Sequence, residues 1–275
     1  VIESATQYNY SFKRRIANTL REVGIYSKAK ALYRQTLNRK YLHQRQSLIQ
    51  FFSAFVQPDD IVFDVGTNLG DFTDAFLALS ATVYGLEPNP FCIRELQSLY
   101  GSHSQFTLIP KAVGPTIGKS TMYLGSEDMH ITSTLSSGWT EAARKLPGMN
   151  RAGWTETIEV EVTTLDQLIQ AYGIPAFCKI DIEGFEYEAL TGLSQPIPCL
   201  SVEYVPWRIE PTFQSIEYLA NLGNYQFNIT TRKTVEGIGE FRYANWMSDT
   251  EMIDRLDQEI RDTEVFGDLY AKLVR

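Results

Sequence analysis

Residues 61 to 90, IVFDVGTNLGDFTDAFLALSATVYGLEPNP, leave little choice of fold. A short apolar run enters a glycine-rich turn, a helical stretch follows, and a second apolar run ends on an acid. A strand, a helix and a strand in so few residues pair in parallel through a right-handed crossover. Ligands of such sheets sit beyond the carboxyl ends of the strands, where this chain places its glycines and its acid.

The same rhythm continues downstream. Strands are expected at 61–66, 82–88, 106–114, 120–125, 157–165, 176–184, 199–205 and 225–231, with a last one inside GDLYAKLVR. Helices are expected at about 70–79, 89–99, 164–171, 185–191, 211–222 and 249–261. This alternation predicts an α/β fold, a mostly parallel sheet with helices on both faces. Residues 126–156 break the pattern. So long a stretch without regular structure reads as an active-site loop, against the plainer reading of a tolerated surface insertion. Residues 11–57 read as two or three helices, dividing the chain into a basic helical extension, 1–57, and a main domain, 58–275.

Charge separates the same two parts. Residues 1–50 hold ten Lys or Arg against Glu3 and Glu22, so of the net −8 the extension contributes +8 and the remainder −16. The expectation is a helical arm that docks on the acidic body of its own chain, or on a second copy in a homo-oligomer. An acidic body without interleaved basic and aromatic residues argues against nucleic acid as a partner. Cys92, Cys178 and Cys199 are too few and too widely spaced for a disulfide framework, and no apolar run approaches the ~18 residues of a membrane span. The chain therefore reads as intracellular, with a cytoplasmic location expected.

The turn is Asp64-x-Gly66-x-Asn68-x-Gly70, with Thr67 inside it. Glycines at 66 and 70 let a ligand meet backbone. A dinucleotide site would carry GxGxxG to seat a pyrophosphate, and an acid ahead of the first glycine would repel that anion. Glu87, at the end of the second strand, is placed to accept hydrogen bonds from both hydroxyls of a ribose. Together they describe a nucleoside carrying a positive centre or an amine, which fits S-adenosylmethionine better than NAD.

At this point the chain resembles the FkbM-like family of S-adenosylmethionine-dependent methyltransferases. FDVGTNLGDFT (63–73), YGLEPNP (84–90), IPKAVG (109–114), TLDQLI (164–169), CKIDIEGFEYEALTG (178–192) and SVEYVP (201–206) carry the likeness, in order, over residues 58–206. The resemblance implies a Rossmann-like class I methyltransferase fold with seven strands, the final one antiparallel. It also implies methyl transfer, usually to a hydroxyl oxygen of a sugar, glycan or specialised metabolite. Asp64, Gly66, Asn68 and Gly70 fall on its cofactor turn, Glu87 with Pro88 and Asn89 on its ribose site, and Ala112 and Val113 near its adenine. Asp181, Glu183 and Gly184 fall on the motif closest to the sulfonium and the acceptor. Thr67 stands where the family more often has alanine.

An alcohol acceptor calls for a general base. If the strand persists through KIDIEG, Asp181 and Glu183 share one side of it with Lys179. Glu203, near the end of the next strand, would converge on the same cleft. Asp181 and Glu203 are the first candidates for base or acceptor binding, while Glu183 suits orientation or the cofactor amine. His130, in the irregular loop, is the one histidine placed to approach an acceptor; His43 and His103 read as surface residues. The carboxylates also suggest a divalent cation, the lesser alternative, since no compact metal motif is present. Trp139, Trp154, Tyr204 and Trp207 offer stacking surface or core filling. The competing functions are an NAD-dependent oxidoreductase and an inactive nucleotide-binding scaffold.

Overall fold

The protein is described here by a computed structural model that covers residues 39–126, 132–146, 149, 153–232 and 240–274. The helices expected within residues 1–38, and His130, lie outside the described residues. In chain order the elements are α1 (Arg39–Phe52), β1 (Ile61–Val65), α2 (Asp71–Ala78), β2 (Thr82–Leu86), α3 (Pro90–Tyr100), β3 (Phe106–Ile109), β4 (Ala112–Val113) and β5 (Gly118–Gly125). Then follow α4 (Ser137–Ala143), β6 (Gly153–Thr163), α5 (Leu165–Tyr172), β7 (Phe177–Ile180), α6 (Glu186–Leu190), β8 (Cys199–Tyr204), α7 (Glu210–Leu222), β9 (Tyr225–Arg232), α8 (Asp249–Glu259) and β10 (Phe266–Leu273).

Seven strands form the main sheet, in the order β3-β2-β1-β7-β8-β10-β9. All pairs from β3 to β8 are parallel, whereas β10 runs antiparallel to both β8 and β9. The apolar runs at the centre explain this. Every residue of β7, and all but the first of β1, is buried, as a strand covered by helices on both faces requires. Alternate residues of β1 serve opposite faces: Phe63 and Val65 join the core under α5 to α8, while Val62 joins the one under α1 and α2. Successive strands run outward from β1 through β2 to β3, then restart at β7 on its other side. The cleft opens at that switch, above the carboxyl ends of β1 and β7.

The structure corrects several of the sequence expectations. The strand expected over 106–114 is two strands in two sheets. Pro110 lacks the N–H a ladder needs, so β3 stops at Ile109, and Ala112–Val113 pair instead with β6 in a second, three-stranded sheet, β4-β6-β5. Strands β5 and β6 thus lie outside the main sheet. The stretch 126–156 is not wholly irregular, because it contains α4 and the first residues of β6. The Ser136 hydroxyl caps α4 by accepting from the Trp139 amide, and Trp139 packs edge-on against Trp154 with ring centroids 5.5 Å apart. The strand expected over 176–184 ends at Ile180, since Glu183 and Gly184 turn left-handed with φ of 59° and 86°.

Basic helix α1 packs into the body. Arg45 Nε lies 2.6 Å from the Asp74 carboxylate of α2, and the Tyr41 hydroxyl donates to the same carboxylate at 3.1 Å. Phe52 is fully buried, with its ring centroid 4.8 Å from that of Phe76 and 5.2 Å from that of Phe177. None of the described helices is long and apolar enough to cross a membrane.

Candidate active site

Strand β1 delivers the chain into the turn Gly66–Gly70. Gly66 sits at φ 82° directly against the end of β7: a Cβ there would collide with the Asp181 carbonyl oxygen. The Asp181 amide in turn donates to the Val65 carbonyl at 3.0 Å. Only glycine permits this approach. Gly70 precedes α2 at φ 84°, and a Cβ there would lie 2.6 Å from the Tyr100 ring. Asn68 also adopts a left-handed conformation, φ 51°. Thr67 satisfies its hydroxyl within the turn by donating to the Asp64 carbonyl at 2.8 Å, so its departure from alanine is accommodated locally.

Asp64 is the last residue but one of β1 and is buried. Its side chain is enclosed, Oδ2 accepts from the Thr73 hydroxyl at 2.6 Å, and Oδ1 is buried without a partner among the described residues. Burial pushes its carboxyl above the usual range, while Lys179 and the Thr73 hydroxyl pull it back down. It acts on the turn by tying β1 to the start of α2.

Glu87 follows β2 directly. Its Oε2 accepts from the Asn68 amide at 2.9 Å and its Oε1 from the Asn89 amide at 2.8 Å, so the carboxylate spans the glycine turn and the start of α3. Asn89 caps α3, accepting from the Phe91 amide, with Pro88 between it and Glu87. Burial pushes the Glu87 carboxyl up to about 7, against the pull of the two amides. Both partners are backbone amides, so each oxygen keeps a lone pair for a further donor. The two hydroxyls of a ribose fit that donor requirement, and the glycine turn beside it presents backbone. Ala112 and Val113 are buried near the end of β3, whose Ile109 carbonyl accepts from the Glu87 amide at 3.2 Å.

Beyond β7 the chain forms an acidic loop. Lys179, buried in β7, holds Asp181 Oδ2 at 2.7 Å and places its ammonium 4.2 Å from the centroid of the Phe72 ring. The alternation expected to align Asp181 with Glu183 is absent, yet the left-handed turn still gathers the acids. One carboxylate oxygen each from Asp181, Glu183 and Glu203 lies within 4.8 Å of the other two. Oxygens this close could hold a divalent cation. They could equally accept an acceptor's hydroxyl protons.

Three side chains brace this loop from outside the motif. Glu186 Oε1 accepts from the amides of Ile182 at 2.9 Å and Gly184 at 3.1 Å; burial pushes its carboxyl up to about 7. The Thr134 hydroxyl donates to the Glu183 carbonyl at 2.7 Å. Arg208 Nη1 donates to the Gly184 carbonyl at 2.6 Å and to the Ser136 hydroxyl at 3.2 Å. On the other side, the Asn89 side-chain amide donates to the Ser133 hydroxyl at 3.2 Å. Residues 132–136 thus run from the Glu87 side of the cleft to the acidic loop. A pocket beside them is lined by Trp139, Glu186, Tyr187, Glu203 and Arg208 among others.

Sequence reasoning missed Thr134, Glu186 and Arg208. Glu186 had a visible signal, an acid two residues after the glycine of KIDIEG and in the first turn of a helix. Of the candidate aromatic residues, Trp139 lines the pocket and Trp207 packs against it at 5.7 Å. Tyr204 and Trp154 are buried, donating to the carbonyls of Thr230 and Thr132. His43 and His103 are exposed on the surface, as expected.

A parallel sheet switching between its first and fourth strands, a glycine turn and ribose-type carboxylate at that switch, and an antiparallel strand inserted near one edge define the Rossmann-like fold of class I methyltransferases. The chain belongs to the methyltransferase FkbM domain family, whose match spans residues 64–258, and with it to the S-adenosylmethionine-dependent methyltransferases. It is 24% identical over 166 residues to the hexuronic acid methyltransferase AglP of Haloferax volcanii, a stretch covering 60% of this chain and 62% of that protein. The chain thus spans less than two thirds of that relative's length. Among solved structures it is similar to a precorrin-6y C5,15-methyltransferase from Geobacter metallireducens, with a TM-score of 0.44, 10% identity, and coverage of 83% of this chain and 87% of that one. It is also similar to a putative RNA methyltransferase from Pyrococcus horikoshii, with a TM-score of 0.43, 9% identity, and coverage of 84% and 81%.

Proposed function

We propose that the protein is an S-adenosylmethionine-dependent O-methyltransferase whose acceptor is a hydroxyl of a sugar, glycan or specialised metabolite. One observation carries the reading: Gly66 of the cofactor turn packs on the Asp181 carbonyl, so the nucleoside side and the acidic loop share one cleft. The relative from Haloferax volcanii is by name a hexuronic acid methyltransferase, which supports a sugar acceptor.

When bound, S-adenosylmethionine supplies a methyl group on a sulfonium leaving group. Glu87 would hold its ribose and the Gly66–Gly70 backbone its flank, while Glu183 is suited to the amine. Asp181 and Glu203 would orient the acceptor hydroxyl, and one of them takes its proton as the oxygen gains the methyl. Lys179 keeps Asp181 in one rotamer through the ion pair at 2.7 Å. His130 is proposed as a further base or acceptor contact on sequence grounds alone. A cation across Asp181, Glu183 and Glu203 would lower the hydroxyl pKa instead; loss of turnover in EDTA with recovery in Mg²⁺ would assign that role.

Calorimetry with S-adenosylhomocysteine and with NAD tests the reading. Binding of the sulfur compound and not of NAD is expected. Absence of S-adenosylhomocysteine binding sinks the proposal, and binding without turnover across hydroxylated acceptors points to a scaffold. Asp181→Asn and Glu203→Gln should lower kcat by at least about tenfold while leaving cofactor affinity within about twofold.

A further inference from the structure

Arg208 closes the short helical turn Pro206–Arg208 after β8 and reaches into the pocket it shares with Glu203. Its two hydrogen bonds both leave from Nη1, to the Gly184 carbonyl and the Ser136 hydroxyl, and both acceptors are neutral. Among the described residues no carboxylate comes within 4.0 Å of it. The Nε–Nη2 edge of the guanidinium, a pair of parallel N–H donors, therefore has no protein acceptor among the described residues. Arg208 is half-buried, and that edge matches a carboxylate in fork-to-fork geometry.

The surroundings narrow the anion. Glu203 lines the same pocket and belongs with Asp181 and Glu183 to the acidic group, so a dianion such as phosphate meets about twice the repulsion that a single charge does. Glu186, also in the wall, is turned to the amides of Ile182 and Gly184, and burial pushes its carboxyl up to about 7, which reduces the negative charge facing the pocket. Acceptor hydroxyls suit the carboxylates, and an acceptor carboxylate suits the open guanidinium edge.

Resting on the methyltransferase reading above, we propose that Arg208 is a specificity-determining residue: its Nε–Nη2 edge seats a carboxylate of the acceptor, which is a hydroxylated acid of the sugar-acid class. The bonds through Nη1 fix the guanidinium plane, so the seat is in place before the acceptor arrives.

The test measures binding of glucuronate, glucose and glucose 6-phosphate to the protein saturated with S-adenosylhomocysteine, by ligand-observed NMR, for wild type, Arg208→Lys and Arg208→Gln. Wild type should bind glucuronate at least tenfold more tightly than glucose. Arg208→Gln should abolish that preference, and Arg208→Lys, which keeps a donor for Gly184 but not the fork, should reduce it several-fold. Unchanged S-adenosylhomocysteine affinity and Tm in Arg208→Lys show that the fold is intact. Equal or absent binding of glucuronate and glucose overturns the proposal, as does a preference that survives Arg208→Gln. Preference for glucose 6-phosphate, lost in Arg208→Gln, overturns the carboxylate assignment. Failure of S-adenosylhomocysteine itself to bind is the separate outcome that overturns the methyltransferase reading.

Discussion

At position 66 a single methyl group decides whether the site closes. Gly66→Ala combines a left-handed backbone with a collision against the Asp181 carbonyl, and the positive φ alone costs about 1–2 kcal/mol. The variant should melt several degrees lower and lose at least about tenfold in S-adenosylhomocysteine affinity, read by calorimetry. Glu87 and Glu186 lend the molecule a pH dependence of definite sign. Both carboxyls sit at about 7 in the fold, against an ordinary 4.5, so the folded state keeps protons that the unfolded chain sheds. Their contribution to stability is complete below pH 4.5 and is lost as pH rises through 7. Urea midpoints should therefore fall less between pH 5 and 8 in Glu186→Gln than in wild type. Ribose hydroxyls donate to the ionised carboxylate, so S-adenosylhomocysteine affinity should rise up to about tenfold per pH unit toward 7 and become flat in Glu87→Gln. The left-handed turn at Gly66 and Gly70 and the acid directly after β2, Glu87, were legible because turn chemistry is local. Arg208 and Thr134 were not, since their partners lie in other loops and no spacing records them.

Residues 132–136 hold the acidic loop through hydroxyls. Thr134→Val removes the donor to the Glu183 carbonyl and the acceptor of the Ser136 amide, and leaves the shape nearly unchanged. A stability loss of about 1 kcal/mol is expected, with faster hydrogen exchange at Glu183 and Gly184 and a several-fold lower kcat at unaltered cofactor affinity. Equal exchange in both proteins would remove this bracing role. Strands β1, β2, β7 and β8 could be read from the sequence because the largely buried strands of a parallel sheet are mostly apolar runs. The small sheet could not. Strand β6 alternates polar and apolar residues, which gives the strand type but not the sheet to which it pairs, and β5 is polar through its first half. Nor did the apolar pattern of KIDIEG reveal its left-handed turn, since only Gly184 signals one.

At the scale of the whole molecule, α1 serves as a wall of the core under α2, β1 and β7. Phe52 joins Phe76 and Phe177 there at full burial, so Phe52→Ala should cost about 3–5 kcal/mol in urea denaturation. A loss under about 1 kcal/mol would show α1 to be an appendage. The division drawn from charge at residue 57 was insensitive to this packing, because the apolar residues of α1 are interleaved with its basic ones and only three are buried. Sheet order was legible as a class, from the alternation and the family likeness together. The contact between Gly66 and Asp181 then has a consequence for descent and for chimaera building. The fit asks for a missing side chain on one stretch and a backbone carbonyl on the other, which any residue at 181 supplies. A crossover between the two therefore tolerates exchange of residues 176–186, provided the donor of the first stretch brings glycine at 66.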